Sequence, residues 1–240
     1  TAGNVVVYAV AADGSLGATP VINTTVTPNL PYFPVGNNPA AIGVIPGGGS
    51  VYVVNKGDAT ISEFTTSSGV LTLAETLAVG TVPSAAPNAI AIAAVGNNSY
   101  VYVSDSLKNR LYNYAVNSSG TLTPNSVAPT TSTGNLPNGL TFDPTGNFLY
   151  VANFNDNNIS AYTIPTPSGK ATDGVPVQVG ASFTTGTGPT CVIVEPSLQR
   201  FAYTSNFLDS TISGFELNAA SGALTPIQNS PYPVPGGAGQ

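Results

Sequence analysis

The stretch "PNGLTFDPTGNFLYVANFNDNNISAY", Pro137 to Tyr162, decides how this chain is read. It alternates over Pro137 to Phe142, turns at Asp143 to Gly146, alternates again over Phe148 to Asn153, breaks into an Asn/Asp cluster and resumes at Ile159. Alternation with period two places successive side chains on opposite faces, which is the mark of a β-strand, and Gly, Pro, Asn and Asp between the runs form turns. Seen alone, the cluster from Asn153 to Asn158 suits a ligand-binding loop as well as a hairpin turn.

Its sister phrases decide between the two. "PAAIGV" from Pro39, "PNAIAI" from Pro87 and "PTCVIV" from Pro189 match "PNGLTF", and the four prolines lie 48, 50 and 52 residues apart. A second strand follows each, "VYVVNKGD", "VYVSDSLK", "LYVANFND" and "AYTSNFLD", carrying Tyr52, Tyr102, Tyr150 and Tyr203. A third, "ISEF", "LYNY", "ISAY" and "ISGF", ends on Phe64, Tyr114, Tyr162 and Phe215, and a fifth copy, "VVVY", ends on Tyr8. Each then passes a glycine, at Gly14, Gly69, Gly120, Gly169 or Gly222, into a weaker fourth segment. No segment shows the 3.6-residue period of a helix. Four short strands repeated in register over about 50 residues make a β-propeller of four-stranded antiparallel blades, an all-β fold.

The expected organisation is one domain over residues 1–240: a half blade over 1–36, then blades over about 37–85, 86–135, 136–187 and 188–240. Four inner strand pairs and five outer pairs leave the first blade incomplete, and an open sheet edge is a template for pairing with another chain. Self-assembly through that half blade is therefore expected. The chain begins at Thr1 and contains no Met, so the sequence is read as processed or as a piece of a longer one.

Charged residues make up 7% of the chain, against about 25% in ordinary soluble proteins. The net charge is −6, and the five basic residues, Lys56, Lys108, Arg110, Lys170 and Arg200, are scattered, which argues against a nucleic-acid partner. Polarity comes from Ser, Thr, Asn, Gly and Pro, which suits an extracellular or cell-surface protein. Asn23, Asn97, Asn117 and Asn158 head Asn-x-Ser/Thr sequons, candidate glycosylation sites. A single cysteine, Cys191, excludes an internal disulfide. No apolar run reaches the roughly 20 residues of a membrane span.

At "YVVN", "YVSD", "YVAN" and "YTSN", followed by "TISEF", "NISAY" and "TISGF", the chain resembles the lactonase-type seven-bladed propellers and the related YVTN-repeat proteins of microbial cell surfaces. The resemblance implies a ring of about seven blades in full-length relatives. It also implies a site of His, Arg and Glu around the central channel in the sugar-lactone hydrolases and cycloisomerases among them. This sequence contains no His, and only Arg110 and Arg200 can stand for the arginines, outside any motif that transfers a role. No catalytic residue is carried over.

The other candidates read as structure. Asn55 with Asp58, Asn153 with Asp156, and Asn206 with Asp209 share one spacing, and a device repeated in every blade is a turn more readily than a cation site; no metal and no cofactor is expected. Cys191 aligns with Ala41, Ala89 and Gly139 and is expected as a packed core thiol. The repeated tyrosines are expected in the core, while Tyr32, Phe33 and Tyr232, in Pro-rich connections, are the candidate partner-contact surface. Asp143 and Glu195 precede Pro in equivalent turns. These observations favour an exported, non-catalytic structural or interaction module, whose partners are copies of itself or a surface protein or glycan. The alternatives are a lactonase-type enzyme using Arg110, Arg200, Asp105 or Glu195, and a carbohydrate-binding propeller.

Overall fold

A computed structural model describes residues 2–80, 85–95, 97–165, 168–170 and 172–235, and every regular element among them is a β-strand. Blade 1 runs Pro39–Val44, Ser50–Asn55, Thr60–Ser67, Val70–Ala78 in spatial order. Blade 2 has Pro87–Val95, Asn98–Asp105 and Arg110–Val116; blade 3 has Pro137–Phe142, Phe148–Asn153 and Asn158–Thr163; blade 4 has Pro189–Val194, Phe201–Asn206 and Thr211–Leu217. Ahead of them stands the half blade, in which Ala2–Val5 pairs with Phe33–Asn37 and Tyr8–Val10 with Leu16–Pro20. All pairings are antiparallel, and the first strands of successive blades pack on one another, forming the inner ring of a propeller.

The fourth strand departs from the simple pattern. In blades 2, 3 and 4 it is split in two, as Leu122–Pro124 and Thr130–Ser132, Val177–Gln178 and Phe183–Thr184, and Leu224–Pro226 and Tyr232–Pro233. Pro124 and Pro226 end the first piece, since proline brings no N–H to a ladder. Blade 1 has no proline there, and its outer strand is continuous.

The core lies between blades. Tyr52, Val54 and Ile61 of blade 1 meet Val101, Val103 and Leu122 of blade 2, and the seams between blades 2 and 3 and between 3 and 4 repeat the arrangement. The expected core tyrosines are there: Tyr52, Tyr102 and Tyr150 are fully buried, and each hydroxyl donates to a carbonyl of the next blade, Gly120, Gly174 and Gly222 respectively. In blade 3 that carbonyl belongs to Gly174 and not Gly169, because the connection there is longer.

Two expectations on blade 4 are corrected on the face that meets no further blade among the described residues. Tyr203 is only half-buried, and Cys191 is exposed, with its thiol 3.1 Å from the Ser205 hydroxyl. Gly139, its equivalent in blade 3, is pressed so closely on the backbone of blade 4 that an added Cβ would stand 2.6 Å from the Cys191 Cα. Nothing among the described residues covers Cys191 in the same way.

Candidate site at the channel mouth

Every inner strand carries one extra residue just after its proline. Pro39 opposes Asn55 and Ala41 opposes Val54, so Ala40 is bulged out, and Asn138 and Thr190 are bulged likewise. In blade 2, Asn88 and Ala89 together face Ser104. A bulge breaks the alternation and re-aims a side chain. Here it lines up polar groups across blades at the end of the ring where the inner strands begin: Lys56 Nζ donates to Asn88 Oδ1 at 3.1 Å, and Asn88 Nδ2 donates to Asn138 Oδ1 at 2.6 Å. In blade 4 the Thr190 and Ser205 hydroxyls lie 2.8 Å apart.

The row of Lys56, Asn88 and Asn138 joins three blades, and its members are half-buried. An ammonium group, amides that both donate and accept, and a hydroxyl suit a polyhydroxylated ligand carrying a carbonyl. Sequence reasoning missed the row, since a one-residue bulge leaves the hydrophobic pattern of the strand almost unchanged. The signal available was the residue after each repeat proline, which reads Ala, Asn, Asn, Thr against a constant background.

The Asn/Asp clusters are hairpin turns. Ala59, Asn109, Asn157 and Ser210 take φ between 52° and 55° there. The carboxylates reach sideways to hold the loop entering the same blade: Asp58 accepts the Asn37 N–H at 2.9 Å, Asp156 the Asn135 N–H at 2.7 Å and Asp209 the Thr187 N–H at 2.6 Å. These bonds hold Asp209 below the usual carboxylate range, against a larger opposing effect of burial. Asp105 does the same in blade 2, accepting from Ala86, Leu107 and Lys108 backbone N–H groups. Asn157 and Asn158 belong to the turn as well, since Asn157 Oδ1 accepts the Gly188 N–H and Asn158 Oδ1 accepts from Asn153 Nδ2.

The charged residues proposed for a lactonase site do not converge. Asp105 and Arg110 flank the turn between the second and third strands of blade 2. Glu195 and Arg200 belong to the turn between the first and second strands of blade 4, at the opposite end of the ring. There Glu195 accepts the Ser197 and Leu198 N–H groups, which lower its pKa, and Arg200 pairs with Glu216 on the surface. Asp143 closes the matching turn by accepting the Phe148 N–H at 2.8 Å.

Of the proposed contact aromatics, Tyr232 is exposed and Tyr32 half-buried, but Phe33 is 1% exposed, packed on Val51, Val53, Phe64 and Leu71 in the seam with blade 1. Phe33 is thus corrected to a core residue. Among the sequons, Asn97 and Asn117 are exposed and Asn158 is half-buried. Asn23 is 2% exposed, with Nδ2 bonded to the Tyr32 carbonyl.

A family model described as lactonase, 7-bladed beta-propeller, matches residues 73–182. The fold is a β-propeller similar to that of the lactonase-type structures. A putative 6-phosphogluconolactonase from Bacteroides uniformis superposes with a TM-score of 0.71 at 15% identity, covering 94% of this chain and 64% of its own. The periplasmic gluconolactonase of Pseudomonas aeruginosa gives 0.67 at 18% identity, covering 96% and 65%. A functionally unknown protein of Desulfotomaculum acetoxidans gives 0.67 at 20%, covering 93% and 69%. The chain thus spans about two thirds of the length of these structures. No curated protein matches it. The family match overturns the expectation of a non-catalytic structural module and favours the lactonase-type alternative.

Proposed function

We propose that the protein is a lactonase-type enzyme that opens a sugar lactone at the channel mouth. The observation that carries this reading is the lactonase family match over residues 73–182, which includes Asn88 and Asn138 of the polar row. Hydrolysis adds water to the ester carbonyl, passes through a tetrahedral oxyanion and releases the ring oxygen. Donors aimed at that oxyanion in a partly desolvated site lower the barrier. The Lys56 ammonium and the side-chain amide of Asn138 are the donors of the row, while Asn88 holds the ammonium in place and Thr190 is suited to the sugar hydroxyls. These 240 residues contain no His and so contribute no imidazole base. The low charge and the exposed sequon residues Asn97 and Asn117 support a protein working outside the cell.

The test is hydrolysis of a sugar-acid δ-lactone, followed by proton release, for wild type, Lys56→Ala and Asn88→Ala. Loss of one oxyanion donor or positioning amide is expected to lower kcat/KM by about tenfold or more. Turnover by wild type no faster than buffer, or equal rates in all three, overturns the reading.

A further inference from the structure

Glu63 sits mid-way along the third strand of blade 1 and is 1% exposed. Its Oε2 accepts the Leu122 N–H of blade 2 at 3.0 Å, so the carboxyl bridges the seam, while Oε1 has no partner. In register Glu63 lies opposite Tyr52, and the residues opposite Tyr102, Tyr150 and Tyr203 in the other blades are Asn113, Ala161 and Gly214. Only this seam has an ionisable group at that position.

The titratable groups around it are Tyr52 on the adjacent strand, Glu75 opposite it on the outer strand and Tyr114 from blade 2. None is a cation. A buried carboxylate without a cation or a full set of donors is costly, whereas the neutral carboxyl is tolerated and still accepts from Leu122 through Oε2 with its proton on Oε1.

We propose that Glu63 makes the seam between blades 1 and 2 pH-sensitive: protonated, it joins the blades through Leu122, and ionised, it loosens them. Burial raises its pKa to about 7, with the Leu122 N–H opposing and the Glu75 charge adding to the rise. The proton moves between Oε1 and solvent, and no other group changes. Loosening would reach the Tyr52 to Gly120 bond, which closes the same seam.

Hydrogen exchange at the Leu122 amide of the whole chain tests this, at about pH 5.5 and about pH 8, as protection factors corrected for intrinsic exchange. Wild type is expected to lose protection by about tenfold or more on going to the higher pH, and Glu63→Gln to keep it. Equal losses in the two proteins, or none in wild type, overturn the proposal. Should Glu63→Gln fail to fold, infrared titration of wild type reads the buried carboxyl directly. A protonated-carboxyl band that persists to near neutral pH supports the proposal, and full ionisation in the ordinary glutamate range overturns it.

Discussion

The hydroxyl of Tyr102 donates to the Gly174 carbonyl of the next blade at 2.7 Å, and both ends of that bond are buried. Tyr52 and Tyr150 make the same bond to Gly120 and Gly222, so one tyrosine pins each closed seam. Tyr102→Phe keeps the ring packing and leaves a carbonyl unpaired, at a cost of about 1–3 kcal/mol. Tyr203→Phe, where the hydroxyl meets no described residue, is expected within about 0.5 kcal/mol of wild type. Urea unfolding of the two variants checks the difference.

A second prediction separates steric from conformational demands on glycine. An added Cβ at Gly134 would stand 2.7 Å from Asp156 Oδ2, which holds the loop through the Asn135 N–H, and from the Asn153 amide carbon, whose amide is fixed on Ser160 of the third strand. Gly47 has open space around it but a φ of +88°. Gly134→Ala is therefore expected to cost about 1–3 kcal/mol through overpacking, and Gly47→Ala about 1 kcal/mol through backbone strain. Restoring room with Asp156→Ala should recover part of the first loss and none of the second, measured as unfolding midpoints of the double variants.

The architecture was legible because strands, turns and blade period are written in local alternation, and the Tyr52, Tyr102 and Tyr150 repeat marks the core directly. The site was not, for two physical reasons. A bulge at Asn88 or Asn138 alters where one side chain points without altering the apolar pattern. Burial of Phe33 and exposure of Cys191 depend on what lies across a seam, and the phrase "NLPYFPVG" or "PTCVIV" says nothing of its neighbour. The Asn/Asp turns are legible as structure from their repetition, but their reach to the loops at Asn37, Asn135 and Thr187 is a contact over 21 to 22 residues that no local pattern encodes.

The polar row yields a third prediction. Lys56 and Asn88 share a hydrogen bond, so their effects on lactone hydrolysis should not add. If Asn88 serves to place the ammonium, Lys56→Ala with Asn88→Ala loses no more kcat/KM than the worse single variant, within about threefold. Losses that multiply would mean that the two side chains touch the substrate independently.

Glu63 fixes the sign of a pH effect on global stability. Its carboxyl titrates near 7 in the folded chain, above the ordinary value of 4.5, so the folded state holds its proton more tightly than the unfolded one. The stability this proton linkage contributes is therefore fully present below about pH 4.5, falls as pH rises to about 7 and is flat beyond. A shift of that size corresponds to about 3 kcal/mol, lost over that window by wild type and retained by Glu63→Gln. The turn carboxylates Asp209 and Glu195, held below their usual range, act in the opposite sense and only at lower pH, as stability lost when they are protonated. Urea unfolding across pH 4 to 8 therefore separates them: the difference between wild type and Glu63→Gln should grow from about pH 4.5 and level off near 7, and a difference that is constant across the range would place the Glu63 carboxyl at its ordinary value.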